Sequence, residues 1–316
     1  LKISYKKEFI KKEEEFYMIL GIDTGYGMTK TKNFVFPSGV AHLNTAPPLV
    51  ERVLEYKGRY YQIGNVPDGI TNDKTKDNDY YLLVIAACAM EMKKLNLYSA
   101  TVTLAVGTPL MRYGEEKDKL IKYLLKEKEI DFKFEGKDYH ITLDENIRVY
   151  PQGYSAIINK MRDIKGSCYL IDIGTGTTEI LPIASNHSIN LGKAFTLQNG
   201  ISNCIKDIKG VISDKFNSKL MGEEYIDIIR GIYSNKMVLE VCEPVILNFV
   251  SECLKLLNQN EVNYQLTPTF IVGGGAGVIK RHIDKLDIGM HNITFIEDVR
   301  ANAVGYEILA KAEMSR

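Results

Sequence analysis

Little in this chain is paired, charged overall or continuously apolar, and each shortage closes off a class of function. The 316 residues hold five cysteines, Cys88, Cys168, Cys204, Cys242 and Cys253, an odd number with no C-x-x-C pair. Disulfide frameworks and thiolate zinc sites need close, paired spacings. Buried, reduced thiols of a cytoplasmic protein are therefore expected. The five histidines are equally dispersed, with no H-x-x-H or H-E-x-x-H, which argues against a zinc enzyme. Net charge is missing too: 40 Lys and Arg balance 40 Asp and Glu. With no positive field, general attraction to nucleic acid or an anionic membrane is not expected. Apolar runs such as Tyr80–Met90 are too short to span a bilayer. Residues 1–17 are rich in lysine and glutamate and lack the apolar core of a signal peptide. A frayed helix or a disordered extension is expected there, with the ordered chain starting near Met18. The length suggests two domains.

What is present is a short motif, used twice. Tyr169-Leu-Ile-Asp172-Ile-Gly174-Thr175-Gly176-Thr-Thr-Glu179 reads as a buried strand, a tight glycine turn and a returning strand. Glycines let the backbone fold back and aim N–H groups at an anion. An Asp beside such a nest makes sense when a cation stands between it and the anion. The pattern occurs earlier as Ile19-Leu-Gly-Ile-Asp23-Thr24-Gly25-Tyr26-Gly27, Asp over Asp and glycine over glycine. One D-x-G-x-G is a common turn. Two, each opening a half of the chain after a buried strand, argue for duplication. Facing each other across a cleft, they would hold one nucleotide's phosphates from both sides, with Asp23 and Asp172 positioning Mg²⁺ through its waters.

The remaining pattern alternates strands and helices in two similar halves, which indicates an α/β fold with mixed sheets. Strands are expected at Met18–Asp23, Met28–Phe36, Thr101–Val106 and Asn146–Tyr150, with hairpins around Lys57-Gly58 and Glu135-Gly136. Helices are expected over Asp77–Leu95, Glu115–Lys128 and Tyr154–Arg162. The second half predicts strands at Ser167–Asp172, Glu179–Ile183, Ser188–Phe195, Thr269–Val272 and Ile293–Ile296. Its helices are Asn199–Lys209, Gly222–Gly231, Val238–Leu257 and Asp298–Ala312, the last with Asp298 as N-cap.

Three further features bear on chemistry. Lys30 would neutralise phosphates from the returning strand; a solvated strand-end lysine is the alternative. Gln152, between Pro151 and Gly153 at a strand-to-helix junction, would orient a water for attack on a γ-phosphate; an ordinary helix-start polar residue is the alternative. Gly273-Gly274-Gly275-Ala276-Gly277 follows a buried strand and allows close approach of backbone to ligand. It is neither a Rossmann fingerprint in its usual place nor a P-loop; a tight strand-to-helix connection is the alternative, but five small residues in a row are more than a turn needs.

Together these residues resemble the actin superfamily of ATPases. Asp23-Thr24-Gly25-Tyr26-Gly27-Met28-Thr-Lys30 is similar to the first phosphate loop of that family, Asp172-Ile-Gly174-Thr175-Gly176 to the second, and Gly273–Gly275 to its adenosine motif. Ala301-Asn302-Ala303-Val304-Gly305 resembles the small-residue helix that follows. The match covers roughly residues 18–312. Length and the Pro-Gln-Gly-Tyr junction point to the bacterial plasmid-segregation actins, the ParM/StbA-like group.

The resemblance implies an actin-like, duplicated ribonuclease H-like fold, with two α/β domains flanking a nucleotide cleft. Residues 18–153 with 299–316 would form domain I and 154–298 domain II. It implies ATP or ADP, with GTP left open, and Mg²⁺ as cofactors. Asp23 and Asp172 would serve the metal and phosphates, Lys30 the phosphates and Gln152 the attacking water. Adenine contacts are expected from helices between 199 and 231. It further implies self-association into filaments, a DNA-binding adaptor rather than direct DNA contact, no membrane and a cytoplasmic location. Two departures stand out: Tyr26 replaces a small hydroxyl residue that contacts the γ-phosphate, and Gln152 replaces a Glu, as in conventional actin. Other functions remain in view. A small-molecule kinase of the superfamily would need an acceptor-side Asp base, for which the sequence offers no clear candidate. A chaperone-type domain would need a following substrate-binding domain, and a cell-shape actin an amphipathic anchor.

Overall fold

A computed structural model of the protein describes residues 16–48, 51–65, 78–286 and 292–315. The extension expected over residues 1–17 lies outside the described residues except for its last two. The first half runs β1 (Tyr17–Thr24), β2 (Met28–Lys30), β3 (Val35–Pro37), β4 (Gly39–Leu43), β5 (Val53–Tyr56), β6 (Arg59–Asn65), α1 (Asp79–Lys94), β7 (Ser99–Thr108), α2 (Tyr113–Leu124), β8 (Glu129–Phe134), β9 (Lys137–Leu143) and β10 (Arg148–Pro151). The second runs β11 (Cys168–Ile173), β12 (Thr178–Ile183), β13 (Phe195–Leu197), α3 (Ile201–Phe216), α4 (Gly222–Arg230), α5 (Lys236–Gln259), β14 (Thr269–Val272), α6 (Ala276–Ile283) and β15 (Ile293–Phe295), and α7 (Ala301–Met314) ends it.

The first half builds one sheet in the order β3-β2-β1-β7-β9-β8-β5-β6-β4. Strand β7 is its axis. β1 runs parallel to it from Tyr17↔Thr101 to Ile22↔Val106. On the other side β9 pairs with Ser99–Val102, and β10 takes over along Ala105–Thr108. Because β1 and β10 both run parallel to β7, Asp23 and Gln152 emerge at the same end of the sheet. Helix α1 is buried without interruption from Tyr80 to Ala89. That accounts for its continuous apolar run, since a helix buried on all sides needs no polar face.

The second half builds a five-stranded sheet, β13-β12-β11-β14-β15. Its strands are apolar on both faces, and the period of two sorts them. Ile171, Ile173, Ile180 and Ile271 meet helices α3 to α6, while Leu170, Leu181, Phe270 and Val272 meet Ile157 and Met161 on the opposite face. Helix α7 returns to the first sheet and packs on β1 and β7. Glycines let α7 approach closely both β1 and the 3-10 turn Tyr154–Ile157. A Cβ on Gly21 would lie 1.9 Å from the Ala303 carbonyl oxygen, and one on Gly305 would lie 1.9 Å from that of Ser155.

The expected α/β architecture is present, with four local differences. The strand expected over Met28–Phe36 is a hairpin, in which β2 and β3 pair across a turn closed by Thr31 N donating to Phe34 O at 2.9 Å. Buried Glu91 of α1 favours the turn, accepting from Thr31 Oγ1 at 2.5 Å and Asn33 N at 3.0 Å. That partner is distant in sequence, so local β-propensity misses it. The helix expected over Tyr154–Arg162 is two 3-10 turns, Tyr154–Ile157 and Met161–Asp163. Here the chain must fill the underside of the second sheet with Ile157 and Met161 while its Ser155 backbone abuts Gly305. Near Ser188–Phe195 there is one bridge, Ile183↔Ile189, and a 3-10 turn at Leu191–Lys193; pairing with β12 places the strand at Phe195–Leu197. Asp298 does not cap the last helix, because its carboxylate folds onto Arg300, accepting from the backbone N at 3.0 Å and from Nε at 2.9 Å. Helix α7 therefore starts at Ala301. All five cysteines are free and buried, as expected. Among the described residues no helix is long and apolar enough to cross a membrane.

Candidate functional site

The two D-x-G-x-G hairpins come together at a cleft of about 700 Å³, a size suited to a small-molecule ligand. In the first hairpin Gly25 N donates to Met28 O at 3.0 Å, and the register sets Asp23 directly opposite Lys30. This explains the seven-residue spacing: Lys30 Nζ reaches Asp23 Oδ2 at 3.0 Å. In the second, Gly174 N donates to Thr177 O at 2.9 Å, and the same register sets Asp172 opposite Glu179. The duplicated position thus carries a cation on one loop and a carboxylate on the other. Glu179 lines the cleft and went unnoticed in the sequence, although the seven-residue spacing marks it.

The loops touch. A Cβ on Gly27 would lie 2.6 Å from Thr175 Oγ1, so any side chain there would displace the Thr175 hydroxyl. Helix α3 supports the second loop from behind, with Ile201 N on the Gly174 carbonyl at 3.1 Å and Ser202 N on that of Thr175 at 2.8 Å. Gly273 closes the base. Its φ of +85° is a left-handed conformation, and a Cβ there would lie 2.3 Å from Asp172 Oδ1. Gly274 faces open space and presents bare backbone to the cleft.

Gln152 follows β10, anchored by its N donating to Thr108 O at 2.9 Å, and its Nε2 donates to Asp23 Oδ1 at 3.1 Å. With the amide nitrogen so engaged, the side-chain carbonyl is the group that would accept from a water. Gly153, at φ +73°, turns the chain between the sheets. Its N donates to Asn302 Oδ1 at 2.9 Å, and Asn302 also hydrogen-bonds Asp172. Asn302 thus ties the crossover and the second loop to the start of α7, a role its place in a small-residue helix did not reveal. Tyr26 accepts from Arg112 Nη2 at 2.8 Å. A wall of Ile201, Ile226, Ile229 and Val278 from α3, α4 and α6 flanks the loops.

Of the residues singled out in the sequence, Asp23, Gly25, Tyr26, Lys30, Gln152, Asp172, Gly174, Thr175, Gly176, Gly273 and Gly274 line this cleft. Thr24 is buried, Gly27 meets Thr175 of the other loop and Gly275 packs on Ile173; none of the three is among the lining residues. Burial, and after it the charge of Asp23, pushes Asp172 up to about 6, while Lys30 and Asn302 pull the other way. Asp23 and Asp172 both line the cleft, and the Lys30 ammonium pairs with only one of the two carboxylates, that of Asp23. Among the described residues no three His, Cys, Asp or Glu side chains gather into a protein-only metal cage. This donor set fits Mg²⁺, which keeps several waters and takes one or two carboxylates together with phosphate oxygens.

Comparison with known proteins bears on the fold that carries this cleft. Residues 21–154 match the family model of the actin-like proteins' N-terminal domain. The archaeal actin homologue Ta0583, solved in complex with ADP, is 22% identical over 93% of this chain and 99% of its own, with a TM-score of 0.72. ParM of Clostridium botulinum, solved as a 15-stranded filament, is 20% identical over 94% of this chain and 99% of its own, TM-score 0.71. ParM of Bacillus thuringiensis with ATP is 15% identical over 96% and 100%, TM-score 0.71. No curated protein matches in sequence. Residues 21–154 are thus similar to the N-terminal domain of actin-like proteins, and the chain shares the actin-like fold of these structures.

Proposed function

We propose that this protein is an ATPase that binds Mg-ATP in the cleft and polymerises into dynamic filaments that segregate plasmid DNA. The observation that carries the reading is the convergence of both D-x-G-x-G loops, with Asp23, Asp172 and Gln152, on one cleft. In this reading residues 18–153 with 299–316 form one domain and 154–298 the other. Amides of the two loops hold the phosphates, Lys30 moves from Asp23 to a phosphate oxygen, and Asp23 and Asp172 hold Mg²⁺ through its waters. Bound there, Mg²⁺ would neutralise charge on the phosphate oxygens. Gln152 orients the attacking water, and the isoleucine wall receives the base. ATP favours a closed, polymerising arrangement of the domains and hydrolysis releases it, so the ligand biases a two-state element. Head-to-tail contacts that do not close into a ring extend as open filaments. Balanced charge suits a filament that reaches DNA through an adaptor in the cytoplasm.

Light scattering of the protein with ATP, ADP and no nucleotide, each with Mg²⁺, tests the proposal. A rise specific to ATP is expected. No rise at any protein concentration would refute filament formation, and turnover stimulated by a sugar would indicate a kinase instead.

A further inference from the structure

Resting on the nucleotide reading above, we infer that Arg112 is the residue by which this protein distinguishes a nucleoside triphosphate from a diphosphate. Tyr26 holds it in place, and Glu116 competes for it. Tyr26 lies between Gly25 and Gly27 at the tip of the first loop, where Gly27 meets Thr175 of the second. A phosphate reached by the amides of both loops at this point is the terminal one. The phenol is too long to contact that phosphate as a small hydroxyl would. Its oxygen instead reaches outward, accepting from Arg112 Nη2 at 2.8 Å.

Arg112 belongs to a short segment fixed to the end of β7. Its backbone N donates to Pro109 O at 3.0 Å, and Pro109, Met111 and Arg112 all line the cleft. Its Nη1 pairs with Glu116 Oε1 at 2.9 Å, with the arginine side chain 33% exposed. An ion pair this open to water is weak. A phosphate oxygen arriving at the loop tip brings more charge than Glu116 and accepts from the same planar fork. Arg112 can then turn one nitrogen from Glu116 to the phosphate while Tyr26 keeps the other. Lys30 starts from Asp23, and on moving to a phosphate oxygen it would answer the inner phosphates beside Mg²⁺. The charge at the loop tip, where the terminal phosphate would lie, is that of Arg112.

Titration calorimetry with ATP and with ADP, each with Mg²⁺ and below the assembly concentration, tests the inference. Arg112→Gln should weaken ATP about tenfold or more and leave ADP unchanged. Arg112→Lys, which keeps the charge and loses the fork, should fall between. Glu116→Gln should tighten ATP alone. Tyr26→Phe should weaken ATP alone, to a smaller extent. Equal weakening of both nucleotides by Arg112→Gln, or weaker ATP binding in Glu116→Gln, would overturn the inference and leave the nucleotide site standing. A wild type that binds neither nucleotide would overturn the proposed function itself.

Discussion

Replacing Asp172 by Asn should strengthen the empty protein while disabling its site, two effects of opposite sign from one atom. Asp172 is held from its ordinary 3.8 up to about 6 by burial and by Asp23. A carboxyl raised on folding binds a proton more tightly in the folded state than in the unfolded one. Stability therefore falls as pH rises from about 4 to about 6, and stays low above that. At about 1.4 kcal/mol per unit the ionised group costs at most about 3 kcal/mol, or about 2 kcal/mol allowing for water that still reaches it. Asn has nearly the same shape, can keep a hydrogen bond with Asn302, and carries no charge to bury. At pH 7.5, without nucleotide, Asp172→Asn should raise Tm by roughly 5 °C. Near pH 4 the difference should vanish, because the wild-type carboxyl is then protonated. In the same thermal assay, Mg-ATP should stabilise the wild type and fail to stabilise the variant. A variant less stable than wild type at pH 7.5, or a difference independent of pH, would show that Asp172 is not a strained anion and would remove the reason for expecting a cation beside it.

Three further outcomes follow from the same geometry. Gly273→Ala forces a side chain into a left-handed backbone position and against Asp172. It should cost about 1–3 kcal/mol of stability in urea unfolding and abolish nucleotide binding in calorimetry. Gln152→Ala should slow phosphate release by about a hundredfold, the order expected when the residue that orients the attacking water is lost, with ATP-dependent light scattering retained; unchanged turnover would remove Gln152 from the mechanism. Gly305→Ala places a methyl group where the Ser155 carbonyl stands. It should destabilise by about 1–3 kcal/mol or more through overpacking, read as a lower urea midpoint.

How much of this was legible beforehand depended on whether the determining contact was local. The duplicated strand–turn–strand units could be read, because a buried strand, a carboxylate and a glycine turn are specified by neighbours in sequence. Register made Lys30 readable as well: seven residues across a tight hairpin put it opposite Asp23. The same arithmetic would have found Glu179 opposite Asp172. The hairpin inside Met28–Phe36 escaped because Glu91, some sixty residues on, makes the turn. The broken helix after Gly153 escaped because its shape answers to α7 and to the second sheet.

The sequence by itself determined the two phosphate-type loops, the alternation of strands and helices, and the glycines that a close backbone approach requires. These depend on backbone conformation and short-range pairing, which neighbouring residues control. Only the tertiary structure decided which groups face each other. The parallel course of β1 and β10 along β7 brings Gln152 to Asp23, α7 carries Asn302 to Asp172 and Gly153, and the segment after β7 carries Arg112 to Tyr26. Each of these contacts joins residues far apart in the chain, through the packing of elements whose sequences do not name their partners. The electrostatics of the site came with them, because a carboxylate's pKa is set by what surrounds it in space.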